Sequence, residues 1–322
     1  MIQAFKHCRP VLSVDSTFFT GMYKGQMLTC IGVDANNKVV LIAFGFVKSE
    51  NAESWLWFLS LIKRAVVCEQ PNVCVLHDRH KGILSAVKKL QEGRNVHVAR
   101  PNLHSRWCMR HMGTNFYSQF RSKRLEDLFK KLCKQNQHCK FDKLWALLDK
   151  LTTSHIEDVR KKPVVAREEE PRGLEPIDGE PAHVTRRRKR GRSVKCFSKW
   201  IKNEPLEKWA LIADTNGSRH GIMTANLAEV YNWVLKACCS LPLVAIVECI
   251  LRGKVAYLRE RFQEASIAVR NPQMVYCSKM TEILDKISAK GTLHRVEFIG
   301  NQDFVFEVTV QDKGVWVSAI LQ

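Results

Sequence analysis

The chain has 322 residues, 45% of them hydrophobic, which is length and apolar content enough for a sizeable core and excludes a disordered or low-complexity polymer. Lysine and arginine outnumber aspartate and glutamate by 51 to 32, and the resulting formal charge of +19 points to a polyanionic partner, most simply nucleic acid. No signal-peptide pattern opens the chain, the longest apolar runs (39–47 and 241–251) are too short to cross a bilayer, and twelve cysteines without a CxxC pair make no disulfide scaffold, so the expectation is a reduced, intracellular protein with no membrane partner.

Residues 11–19, VLSVDSTFF, are rich in β-branched and aromatic side chains and read as a strand. Residues 26–34 and 38–47 give two more, and the DANN between them predicts a hairpin. SENAESWLWFLSLIKRAV follows as a helix, with Ser49 as its N-cap and Trp55, Phe58, Leu59 and Ile62 at helical spacing. Residues 73–77 are a fourth strand, with a helix after His80. The order β-β-β-α-β-α fits a mixed sheet with helices packed on it. Beyond residue 105 three amphipathic helical segments are expected, RWCMRHMGTNFYSQF, RLEDLFKKLCK and FDKLWALLDKLT. Residues 161–192 hold four of the ten prolines, the acidic run Glu168 to Glu170 and the basic run RRRKRGR, and read as a linker. Helices resume near KWIKNEPLEKWAL. MTANLAEVYNWVLKACC comes next, capped by Thr224 or Asn226, and then a long segment from 242 to about 264. The tail from HRVEF onward alternates around GNQD and QDKG and reads as three short strands. No heptad repeat marks a dimer interface.

Two carboxylates stand out. Asp15 lies inside the first strand and Asp78 closes the fourth, and strand ends of an α/β sheet are where ligand sites gather. Two acids brought together there repel unless a cation lies between them, and Mg²⁺ takes such oxygen ligands together with substrate phosphate. The alternative is that each aspartate caps a turn or pairs with a nearby base, Arg79 for Asp78. A third acid is not fixed by spacing: Glu229 and Glu248 both sit in apolar helices, where an ordinary surface glutamate is the simpler reading.

VDSTFFTGMYKGQMLTCIGVDANNKVVLIAFGFVKSENAESWLWFL, LHDRHKGIL, RWCMRHMGTNF and GIMTANLAEVYNWVLKACCSLPLVAIVE, in that order, resemble the plant Mutator-like element (MULE) transposase domain, from about residue 10 to residue 265. The resemblance implies an α/β, RNase H-like mixed sheet with flanking helices, interrupted by an α-helical insertion. It divides the chain into a first part of the catalytic core at 1–100, an insertion at 101–215 holding a loop at about 161–195, closing helices at 216–270 and a short β-rich tail at 271–322. It also implies a DDE triad that falls on Asp15, Asp78 and Glu229, all three ligands to Mg²⁺ or Mn²⁺. The implied chemistry is DNA cleavage and strand transfer by in-line phosphoryl displacement. The implied partners are terminal inverted repeats, target DNA and further copies of the chain, and the implied location is the nucleus. A domesticated or truncated DNA-binding regulator without catalysis is the rival reading. Full-length members also carry a DNA-binding region before this domain and a SWIM zinc finger, CxC…CxH, after it. Neither pattern occurs in these residues, so the chain is expected to be a fragment of a longer product or a truncated relic.

Cys108 and His111 form a CxxH like the family's C/DxxH motif and can serve as zinc ligands, with Cys133 and His138 as candidates to complete a set of four. A buried cysteine beside a satisfied histidine is the plainer alternative. Arg186, Arg187, Arg188, Lys189, Arg190 and Arg192 make a dense cluster suited to nuclear import or phosphate contact, and Arg79 is a further candidate for DNA contact. The insertion's basic residues from Arg121 to Lys150 either track a DNA backbone or form the wet faces of their helices. Trp55, Trp57, Phe58 and Trp233 are expected in the core.

Overall fold

Alternating apolar residues build the first three strands, β1 (Val11–Phe18), β2 (Gln26–Val33) and β3 (Val39–Val47), and every residue of β2 is buried. The computed structural model describes residues 5–68, 70–92, 103–161, 196–214, 217–224, 231, 235–272, 274–292, 294–298, 306–312 and 315–321. The predicted hairpin is present. Asp34 Oδ1 accepts the Lys38 amide at 2.8 Å, and Asn37 supplies the left-handed residue at φ 61°. β4 (Cys74–His77) lies parallel to β1, and β5 (His104–Trp107) lies parallel to β4. The sheet order is β3-β2-β1-β4-β5, antiparallel through the first three strands and parallel from β1 onward. β5 is a strand where the sequence suggested the start of a helical stretch. It is only four residues long, and its buried Ser105 and Arg106 hide the strand pattern.

Helix α1 (Ala52–Ile62) is capped by Asn51, whose Oδ1 accepts the Ser54 amide at 2.8 Å; the expected cap, Ser49, lies two residues outside. Its last turn widens into a π-turn at Lys63–Val67. α2 (Lys81–Glu92) crosses so close to the start of α1 that a Cβ on Gly82 would stand 2.9 Å from the Asn51 carbonyl carbon. These two helices cover one face of the sheet, packing Trp55, Phe58, Leu59, Ile83 and Val87 on Leu12, Val14, Leu28 and Val75. Trp57, expected in the core, points outward, and Trp233 lies outside the described residues. The opposite face packs Met27, Ile31 and Leu41 on Leu235, Cys239, Ile246 and Ile250, and Val11, Cys74 and Leu76 on Ile222.

A helical body with its own core follows β5: α3 (Met109–Phe120), α4 (Lys123–Cys133), α5 (His138–Lys161), α6 (Phe197–Ile201) and α7 (Leu206–Trp209). Its centre is aromatic, with Phe116 stacked on Phe129 at 4.8 Å and Trp200 edge-on to both. The predicted amphipathic segments supply this core. A buried ion network then fixes the returning chain to β5. Asp214 accepts from Ser218 Oγ at 2.7 Å and from the Arg219 amide at 2.9 Å, and it pairs with the Arg106 guanidinium at 3.5 Å. Arg219, fully enclosed, donates to the Lys208 carbonyl at 2.6 Å. Leaving either charge without its partner there would be strongly destabilising.

The chain then runs through α8 (Leu243–Val269), a full turn longer than its expected end at 264, and α9 (Ser278–Gly291). The three strands predicted for the tail are β6 (His294–Phe298), β7 (Phe306–Asp312) and β8 (Val315–Leu321), a separate antiparallel sheet in that order.

Candidate active site

Register brings the two aspartates level. β1 and β4 run parallel with Ser13 opposite Leu76, and β4 and β5 run parallel with Leu76 opposite Arg106 and His77 opposite Trp107. One step past that pairing, the Cys108 amide still donates to the His77 carbonyl at 2.8 Å. Continued to the strand ends, the register aligns Asp15, Asp78 and Cys108 in a single row across three neighbouring strands about 5 Å apart. Residues two apart on a strand share a face. Asp15 therefore follows Ser13 and Val11, and Asp78 follows Leu76 and Cys74, onto the face turned away from α1 and α2. Both aspartates are half-buried.

Their immediate hydrogen bonds are local. Asp15 Oδ1 accepts the Ser16 amide at 2.9 Å, and Asp78 Oδ1 accepts the His80 amide at 3.0 Å. A third carboxylate, invisible to motif reading, braces both segments from the helix side. Glu50 accepts from Ser16 Oγ at 2.7 Å and from Trp55 Nε1 at 3.0 Å, and its Oε1 lies 3.2 Å from His80 Nδ1. It thus joins the residue after Asp15 to the turn after Asp78. His77 does comparable work on the backbone. Its Nδ1 lies 2.5 Å from the Asp78 carbonyl and its Nε2 lies 2.8 Å from Ser105 Oγ. The carbonyl only accepts, so Nδ1 carries the proton and Nε2 accepts from Ser105. Complete burial pushes the His77 pKa down to about 4 and keeps the ring neutral. His77 stands next to Asp78 in the sequence, but nothing there marks Glu50, and pairing across the fold cannot be read from spacing.

Arg79 turns back into the protein. Its guanidinium pairs with Glu204 and lies 4.9 Å from the centre of the Trp107 ring, tying the turn after Asp78 to the helical body. Cys108, expected on a helix face with His111, is instead the fully buried N-cap of α3. Cys133 lies inside the aromatic core of the helical body, its thiol pushed well above the usual range by burial. Among the described residues no three His, Cys, Asp or Glu side chains gather as a metal-holding group, so Cys108, His111, Cys133 and His138 do not assemble the four-ligand zinc set. Glu248 lies exposed on α8, paired with Arg252 at 3.7 Å. Glu229 and the basic cluster Arg186, Arg187, Arg188, Lys189, Arg190 and Arg192 lie outside the described residues.

The chain on either side of Glu229 is nevertheless fixed. The Met223 carbonyl accepts the Met109 amide at 2.9 Å, just past β5, and the Cys239 carbonyl accepts the Thr20 amide at 3.0 Å, just past β1. Both attachments are at the sheet end that carries Asp15 and Asp78.

Residues 11–115 match the model of the MULE transposase domain. Over 165 residues the chain is 22% identical to Protein FAR1-RELATED SEQUENCE 4 of Arabidopsis thaliana, an alignment that covers 49% of this chain and 21% of that protein. The chain thus spans about a fifth of that relative's length. Among solved structures, the crystal structure of the Mos1 strand transfer complex is similar over 32% of this chain and 37% of its own, at 16% identity and a TM-score of 0.22, too low to bear on the fold.

Proposed function

From a chain whose residues 11–115 match the MULE transposase domain, we propose an RNase H-like catalytic domain of a DNA transposase, with Asp15, Asp78 and Glu229 as its acid triad. The observation that carries this reading is the parallel register of Ser13 with Leu76, which, carried two residues on, sets Asp15 inside β1 level with Asp78 at the end of β4. The sheet order supports the fold assignment: three antiparallel strands followed by two parallel ones, with helices on both faces. The helical body between β5 and Asp214 is then the insertion. Met223 and Cys239, which precede and follow Glu229 in the sequence, are both attached at the same sheet end.

Hard carboxylate oxygens on one row suit Mg²⁺ or Mn²⁺ rather than a thiophilic ion. Bound there, such an ion would supply Lewis-acid activation of water or a 3′-hydroxyl and stabilise the charge of an in-line displacement. The protein's own part is positional. His77 holds the Asp78 carbonyl, Glu50 braces the segments after both aspartates, and the apolar residues beneath the row keep the two carboxylates on one face. The +19 charge favours a DNA partner, and the RRRKRGR cluster supplies phosphate contacts and a nuclear address. The family's terminal repeats, and assembly as an oligomer, complete the reading.

A second reading has its own observation. Both aspartates already satisfy an oxygen with a neighbouring backbone amide, which is all a structural cap needs. This favours a DNA-binding regulator without catalysis. Nicking of supercoiled plasmid in Mn²⁺ separates the two. The parent chain should nick, and Asp15→Asn, Asp78→Asn and Glu229→Gln should each lower the rate on the order of 100-fold or more. Equal nicking by parent and variants removes the triad. DNA binding that persists without metal and ignores Asp15→Asn, with no nicking by the parent, selects the regulator.

A further inference from the structure

The described cysteines are all free thiols, and two of them touch. Cys238 Sγ and Cys249 Sγ lie 2.8 Å apart, one on the turn before α8 and the other in its second turn. Neither is enclosed: Cys238 is half-buried and Cys249 exposed, whereas the adjacent Cys239 is buried against Met27 and Ile246. The turn itself is held firmly. The Cys239 carbonyl takes the Thr20 amide, the Leu241 amide bonds the Cys238 carbonyl at 3.0 Å, and Pro242 starts the helix. Both thiols are therefore held in contact before any reaction, which removes most of the loop-closure cost of joining them.

We propose that Cys238 and Cys249 form an oxidisable dithiol site whose substrate is hydrogen peroxide and whose product is an intrachain disulfide. The exposed Cys249 sulfur attacks the peroxide oxygen. The O–O bond breaks, one water leaves, and Cys249 becomes a sulfenic acid. Cys238 sulfur then attacks the Cys249 sulfur. The S–S bond forms, the S–O bond breaks, and the departing hydroxide takes the Cys238 proton as a second water. Two thiols are oxidised and one hydrogen peroxide is reduced by the same two electrons. The hydrogen bond from Cys249 and partial burial push the Cys238 thiol up to about 11, so Cys238 keeps its proton and takes the second, resolving role. The bridge would staple the turn that grips the end of β1 to the first turns of α8.

The sequence makes the test direct. Cleavage after Lys236 and Arg252 releases one peptide, 237–252, that contains Cys238, Cys239 and Cys249, and cleavage after Glu248 divides it ahead of Cys249. The full chain, reduced, treated with hydrogen peroxide and alkylated, should yield peptide 237–252 lighter by two hydrogens and without alkyl groups on Cys238 and Cys249, while the other ten cysteines alkylate. After cleavage at Glu248 the halves should stay joined until reductant is added. Cys238→Ser should leave Cys249 as a sulfenic acid captured by dimedone, and Cys249→Ser should abolish the mass loss. The melting midpoint should rise by roughly 5 °C on oxidation of the parent and stay fixed in Cys249→Ser. Peptide 237–252 that remains fully alkylated, halves that separate after cleavage at Glu248, or a mass loss that survives Cys249→Ser would each overturn the proposal.

Discussion

β2 and α8 are both strongly apolar, yet the fold treats them in opposite ways. β2 lies in the middle of the sheet and buries all eight of its residues. α8 is more than three times as long but buries only Ile246 and Ile250, leaving Val244, Leu251, Val255, Leu258 and Phe262 exposed along one side, Phe262 at 75%. These five are spaced seven, four, three and four residues apart, a heptad-like stripe in which the charged Glu248 takes the place of one member. Apolar pattern therefore selects the element, but a second layer decides whether its surface is used. For β2 that layer comes from helices on both faces; for α8 the sheet takes one side only.

The sharpest way to break this contrast is a matched pair of truncations. Trp55→Ala, beneath the sheet and also losing its bond to Glu50, should cost about 3–5 kcal/mol in urea unfolding. Phe262→Ala should stay within about 0.5 kcal/mol of the parent. Comparable losses would mean that α8 is covered in solution. Acid probes the sheet through His77. The ordinary pKa of His77, near 6.5, falls to about 4 on folding, so the unfolded chain binds its proton first as pH drops. Stability conferred by the neutral ring is full above pH 6.5 and is lost between pH 6.5 and 4, by roughly 2–3 kcal/mol. His77→Asn should flatten that part of a stability-against-pH curve. A smaller change tests the seam between the regions. A Cβ on Gly21 would collide with the Ser240 carbonyl oxygen, so Gly21→Ala must shift the turn before α8 away from the end of β1. It should cost about 1–2 kcal/mol by thermal unfolding and speed amide exchange at Thr20 first.

Much of the sheet was legible because its signals are local. The β2–β3 hairpin declares itself in DANN, β1 in its β-branched run, and α1 in the spacing of Trp55, Phe58, Leu59 and Ile62. β5 was not legible: its fourfold run of polar and aromatic residues becomes a strand only because Asp214 and Ser218 satisfy Arg106 from a distant part of the chain. At the candidate site Asp15 could be picked out as a charge inside an apolar strand and Asp78 as one at a strand end, where burial of a carboxylate demands a reason. Glu50 and His77 could not, since their value lies in partners on other elements. Cys108 misled for a related reason. A CxxH reads as one helix face, but Cys108 ends the strand connection and only His111 is inside the helix.

The row of strand ends has a kinetic consequence. The hairpin closes between Val33 and Val39, near neighbours in the chain, whereas the row needs Val11 to find Cys74 and Cys74 to find His104. Such non-local pairing pays its loop-closure entropy before any contact rewards it, so it is the slow part of assembly. A slip of β4 by one residue would send Asp78 to the face occupied by Trp55 and Ile83 and bring His77 to the other. The burial of an unpaired carboxylate there rejects the error. The same two aspartates that open the site thus act as proofreaders of the fold, and a chain with its strands out of step has no partial site to offer.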